Sequence, residues 1–399
     1  MDLETYCDRL ATLAVEIGAN VQHDQIVALT YAPGMEPLAH AIVRKSYERG
    51  ARFVDPVVFD GHIKRIRLET AREETLGFVP EWWGERILAL GEKHAARMLI
   101  APTPDPGVLE GTDPARAAKD DLPFVKESVT LIKDRSTNWT IVPFPTPGWA
   151  KKVHPGLARD EALQQLTDQL AHILRLDEDD PSAAWRARGD ELNGVARRLG
   201  EKRFDALHFR GPGTDLKVGL LPTSRFLAAR MKNAWGIEHY ANLPSEEIFS
   251  TPDAARTEGT VTATKPLDVA GTVIEGLRVR FEGGRAVEID ADSGADVLRG
   301  RAAKDEGAAR LGEVALVDKA GRIAASGSVF FNTLLDENAA SDIALGNAYR
   351  DAVDEGDWDR INDSQIHIDF MIGSPEVHVL GVAADGSETP VLAGGEWQI

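Results

Sequence analysis

The feature that most constrains this chain is the alternation, over its first hundred residues, of short continuously apolar runs with amphipathic stretches. Leu3, Leu10, Leu13, Ala14 and Ile17 recur at helical spacing, which predicts a helix over 3–17. Apolar runs at 25–31, 52–59 and 96–101 read as strands, with helices expected at 35–49 and 81–93 between them. Strands that are apolar throughout are covered on both faces, so a parallel sheet between layers of helix is expected.

The pattern continues and then changes. APTPDPGVLEGTDP reads as a loop, WTIVPFP as a further strand, and 160–176 and 183–200 as helices joined by the solvated acidic linker LDEDDPS. From about residue 204 short strands dominate: DALHFRG, DLKVGLL, VTATKPLDVAG, TVIEGLRVRFEGG and RAVEIDADSG, with Gly283-Gly284 as a hairpin turn. A helix is expected over 295–311 and a short one at IALGNAY (343–349), before the strand-rich SQIHIDFMIGS, EVHVLGV and TPVLAGG. At 399 residues one core is too few. The expectation is an α/β N-terminal domain with a mainly parallel sheet (1–200) and an α+β C-terminal domain rich in antiparallel strands (201–399).

Composition bounds the function. A net charge of −19 argues against nucleic acid, whose phosphates need a basic partner, and against anionic membranes. Cys7 is the one cysteine, so neither a disulfide framework nor a cysteine-rich zinc site is available. The N-terminus lacks a basic n-region and no apolar run reaches membrane-span length, so a cytoplasmic protein is expected.

The chemistry concentrates in the second half. In SQIHIDFMI, a strand places His367 and Asp369 on one face and Ile366, Ile368, Phe370 and Ile372 on the other. An imidazole and a carboxylate side by side on a rigid strand suit a metal, although the same pattern describes a solvated strand face. Glu313 opens the run EVALVD, where a solvated charge is the ordinary reading. Asp336, Glu337 and Asp342 crowd a loop in LLDENAASDIALGNAY; such acids repel unless a cation lies between them, or decorate a helix N-terminus. In NLPSEEIF, Ser245 followed by acids reads as a helix cap. No G-x-S-x-G elbow, dinucleotide or Walker loop, or HExxH helix is present.

Taken together, NLPSEEIF, GEVALVD, FNTLLDENAAS and IHIDFMIGS resemble, in order and spacing, the M29 aminopeptidases, the aminopeptidase T/S family. The resemblance runs the length of the chain. It implies a cytoplasmic homodimer that hydrolyses the N-terminal residue of short peptides, using two divalent metal ions (Co, Zn, Mg or Mn) and an activated water. It places metal ligands at Glu247, Glu313 (the bridge), Glu337, His367 and Asp369, with Tyr349 as the active-site tyrosine; Glu247 or Glu337 is instead a candidate general base. One position departs: where the family reads AASHIALG, this chain carries Asp342. Aspartate still ligates but favours harder cations. Two rivals accompany this reading: a mononuclear iron ring-cleaving dioxygenase-like enzyme, and a non-catalytic peptide-binding relative.

Overall fold

The computed structural model describes residues 1–101, 107–117, 119–120, 122, 125–228, 230–269 and 272–399. Residues 102–106 of the proline-rich connection and the last two of VTATKPLDVAG lie outside them. The chain forms two compact units, one of Met1–Ala187 with Arg230–Ser245, the other of Arg188–Ala229 with Glu246–Ile399.

The first unit holds the parallel sheet. Its strands are β1 (Ile26–Tyr31), β2 (Phe53–Val58), β3 (Ala96–Ala101) and β4 (Asn138–Pro143), ordered β2-β1-β3-β4 and all parallel. The helix Leu3–Leu13 begins at Asp2, whose carboxylate accepts the Thr5 amide at 2.8 Å, and continues through a wider π turn, Ala14–Gly18. Leu10, Leu13, Ala14 and Ile17 are buried, as their spacing predicts, and Cys7 fills core. Helices Glu36–Glu48, Gly61–Thr70 and Glu81–Glu92 separate the strands; the middle one carries a single buried residue, Leu68, and its weak apolar period hid it from sequence reading.

Among the described residues the second unit contains two large antiparallel sheets and a two-stranded ribbon, Leu267–Val269 paired with Thr272–Ile274. In the larger, eight strands run from Arg285–Asp290 at one edge to Glu396–Trp397 at the other. Gly283 and Gly284, at φ +54° and +77°, turn the Arg278–Glu282 strand back on its neighbour as a two-residue hairpin. The smaller sheet carries the site. Its order is His367–Met371, Asp342–Gly346, Leu311–Leu316, Ile248–Ser250 and Leu227–Ala228, antiparallel throughout.

Three segments fold differently from expectation. The helix expected over 295–311 ends at Ala302, and Leu311 already belongs to a strand. Asp305 draws the intervening turn away, accepting the Ser364 hydroxyl at 2.9 Å and the Gln365 amide at 2.8 Å. Gly307 packs so closely on the Asp363 carbonyl that a Cβ would lie 2.2 Å from it. IALGNAY is not a helix: Asp342–Gly346 is a strand with every residue buried, and a run buried on all sides shows no period that separates strand from helix. Ser245 caps no helix either, because Ile248–Ser250 pairs on both sides, with Leu316 and Ala228 opposite Ile248. Sheet pairing overrides the local capping pattern there.

Candidate metal centre

Sheet register brings the acids together. Ala344 lies opposite both Glu313 and Asp369, and Gly346 opposite His367. Because side chains alternate, Glu313, Asp342, Ala344, His367 and Asp369 share one face, while Val314, Ile343 and Phe370 are fully buried on the other. Ala344 keeps its row open: a large residue between Glu313 and Asp369 would fill the space into which they converge. Gly312 makes a bulge, since the register slips by one residue between Leu311 and Glu313. A Cβ on Gly312 would lie 2.3 Å from the Asn347 carbonyl, so only glycine lets the strands close there and aim Glu313 inward.

The ligand atoms of Glu313, His367 and Asp369 lie within 4.8 Å of one another. His367 Nε2 is 3.1 Å from Glu313 Oε2 and 3.1 Å from Asp369 Oδ1. Its Nδ1 lies 2.8 Å from the Asn347 carbonyl, which can only accept, so Nδ1 carries a proton. Nε2 is thereby the nitrogen left to face a cation. Asn347 was not legible as a participant, because its contribution is a backbone oxygen.

Three further acids lie within electrostatic reach of this group, outside the set whose ligand atoms converge. Glu337 sits in the turn after the Thr333–Asp336 helix, Glu247 immediately precedes Ile248–Ser250, and Asp342 opens its strand. Glu337 and Asp342 are buried and Glu247 is half-buried. Burial, reinforced by Glu313 and Asp369, pushes Glu247 well above the carboxylate range, with His367 opposing. Burial followed by the charges of Glu247, Asp369 and Glu313 does the same to Glu337 and Asp342. Glu313 is raised by burial and pulled back by its hydrogen bond to His367. Burial alone would lower His367, but Tyr349, Asp369 and Glu313 carry it well above the usual imidazole value.

Such a concentration of buried acids is costly unless positive charge is added. Asp342 Oδ2 makes the same point: it is buried with no hydrogen-bond donor among the described residues. The donor set, carboxylate oxygens with one imidazole whose other nitrogen is fixed, therefore fits divalent cations. Tyr349 stands beside this group, its ring edge-on to His367 at 5.2 Å between centroids and 5.3 Å from Phe249. Burial raises its hydroxyl above the ordinary tyrosine value, so it stays a hydrogen-bond donor at neutral pH.

Comparison with known proteins agrees with this chemistry. A family model described as thermophilic metalloprotease (M29) matches residues 3–397. The chain is 41% identical to Aminopeptidase T of Thermus aquaticus, with 98% of each chain covered. It is 35% identical to Aminopeptidase AmpS of Bacillus subtilis (strain 168), covering 99% of this chain and 98% of that one. The structure of wild-type AmpT from Thermus thermophilus superposes with a TM-score of 0.91 at 40% identity over 100% of both chains.

Proposed function

Since the chain belongs to the M29 thermophilic metalloprotease family, we propose that it is a metal-dependent aminopeptidase releasing the N-terminal residue of short peptides. The observation that carries this reading is the convergence of Glu313, His367 and Asp369 on one sheet face. The aminopeptidase names of its relatives supply the reaction class.

Two divalent ions would be held here by Glu247, Glu313, Glu337, Asp342, His367 and Asp369, with Glu313 the carboxylate that both would share. Among cobalt, zinc, magnesium and manganese, so oxygen-rich a donor set suits magnesium or manganese relatively better than zinc. When bound, such ions supply a water of lowered pKa and polarise the scissile carbonyl. The protein's own groups do the rest. Of Glu247 and Glu337, the one that stands free of the ions takes a proton from the attacking water and returns it to the leaving amine, and Glu247, at the half-buried rim, is the better placed of the two. Tyr349 donates its hydroxyl proton in a hydrogen bond to the oxygen that gains negative charge. A carboxylate of the cluster holds the peptide's α-ammonium, which restricts cleavage to the first residue. The Asn347 carbonyl keeps His367 in one tautomer.

The protein is further read as a cytoplasmic homodimer. Among the described residues no helix is long and apolar enough to cross a membrane. Light scattering is expected to give twice the 43.4 kDa chain mass. The ring-cleaving dioxygenase alternative has no support, since the relatives above carry aminopeptidase names; one iron per chain in elemental analysis would restore it.

The deciding experiment strips the full chain with chelator and restores Co²⁺, Mn²⁺, Mg²⁺ or Zn²⁺ singly before incubation with a leucyl dipeptide. Free leucine is expected with at least one metal and none with His367→Ala. Absence of release under every metal, with metal bound, would leave the non-catalytic relative as the correct reading.

A further inference from the structure

The acids of the centre have polar neighbours in sequence that point elsewhere. Glu246 precedes Glu247, Asn338 follows Glu337 and Ser341 precedes Asp342. All of these neighbours are buried, Glu246 and Asn338 completely. Asn338 Oδ1 accepts the backbone N–H of Glu246, and Asn338 Nδ2 donates to the Leu334 carbonyl at 3.0 Å. One side-chain amide thus ties the backbone before Glu247 to the turn that carries Glu337. Ser341 Oγ accepts the Val317 N–H at 3.1 Å, and the Ser341 carbonyl accepts the amides of Ile372 and Gly373 at 2.8 Å. That residue joins the ends of the strands bearing Glu313, Asp342 and Asp369.

Arg188, from the Pro181–Lys202 helix, closes the arrangement. Its Nε donates to Glu246 Oε2 at 2.5 Å, its Nη2 to Asp318 Oδ1 at 3.2 Å, and its Nη1 to the exposed Glu191 at 2.9 Å. The guanidinium is 7% exposed, Glu246 0% and Asp318 7%. A buried ion group of this kind contributes little net stability compared with apolar packing, because desolvation consumes most of the attraction. What it does supply is direction: a planar fork holds two carboxylates at set angles.

We propose that Arg188 and Asn338 are positioning residues for the metal centre: through Glu246 they lock the backbone of Glu247 against the turn bearing Glu337, so that both carboxylates are aimed before a cation arrives. This rests on the metal-centre reading above. Neither residue touches the cluster; each acts through the peptide unit beside a ligand. Ligands held in advance lose less freedom on binding, and removal of such outer partners ordinarily costs on the order of 10–100-fold in metal affinity.

The test uses the full-length chain stripped of metal, with Arg188→Met, Arg188→Lys, Asn338→Ala and, as a control, Glu191→Gln. Each is titrated with Mn²⁺ and Co²⁺ by calorimetry, and the visible absorption of the Co²⁺ form is recorded. Arg188→Met and Asn338→Ala are expected to bind at least about tenfold more weakly and to alter the Co²⁺ spectrum. Arg188→Lys, which keeps the charge but not the fork, should recover part of the affinity, and Glu191→Gln should match the parent in both readouts. A merely structural role would lower the melting temperature of the stripped protein and leave affinity and spectrum of the folded protein unchanged; that result overturns the proposal. Should Arg188→Met not fold, Asn338→Ala and Arg188→Lys decide it on the same criteria. Failure of the parent chain itself to bind either ion sinks the metal-centre reading and this inference together, whereas parental binding with unaffected variants sinks the inference alone.

Discussion

At the scale of single residues, the centre is dominated by the cost of holding acids close. Glu247, Glu337 and Asp342 bind protons more tightly when folded than when unfolded. The folded chain therefore carries extra protons, and stability falls as pH rises where the native state binds more of them. In the stripped protein the contribution of these three acids is fully present below the ordinary carboxylate values of about 4 and is lost as pH rises beyond them. It is opposite in sign to that of ion-paired surface acids such as Asp24 and Glu288, whose pKa values are lowered. Loaded protein has those protons displaced, so the gain in melting temperature on adding Mn²⁺ should grow from pH 5 to pH 8. A gain independent of pH would contradict the carboxylate assignment. Asp342 is the position that sets the character of the donors. Asp342→Asn is expected to weaken Mn²⁺ binding by at least about tenfold. Asp342→His should raise affinity for Zn²⁺ relative to Mn²⁺. Competition titration with both ions measures each.

At the scale of elements, the site depends on how the Leu311–Leu316 and Asp342–Gly346 strands approach each other. Gly312 and Gly346 permit it: a Cβ on Gly346, at φ +114°, would lie 2.1 Å from the Ile366 carbonyl. Gly312→Ala is expected to cost about 3 kcal/mol in unfolding experiments, because backbone rather than a flexible side chain blocks the new methyl. The bulge must open to relieve the clash, which turns Glu313 away. Metal-induced stabilisation should therefore vanish in this variant even at temperatures where it remains folded, and circular dichroism melts with and without Mn²⁺ read both effects.

At the scale of the whole molecule, metal and stability are linked. Ions that bind the folded chain and not the unfolded one add stability that increases with their concentration over the dissociation constant. Chelation is expected to lower the melting temperature and abolish leucine release together, and both should return on reconstitution. If activity disappears while the melting temperature stays fixed, the buried acids do not enclose the ion. The net charge of −19 acts in the same direction, since every bound divalent ion reduces self-repulsion.

The amino-acid sequence by itself determined the fold class, the family and the residue types available to the chemistry. Alternating apolar runs and amphipathic stretches are local signals, and so is the two-residue period that puts His367 beside Asp369. What only the tertiary structure decided was the form of runs that lie wholly inside and the partners of each acid. Asp342–Gly346 is buried at every position, and a segment surrounded by core carries no exposed face from which a period can be read. The row Glu313–Ala344–Asp369 depends on pairing between strands far apart in the chain, with a one-residue slip at Gly312. In SEE, adjacent glutamates of identical chemistry take opposite roles: Glu246 turns to Arg188 and Glu247 lies among the acids. No local rule separates them, because their directions follow from what packs on either side of one backbone.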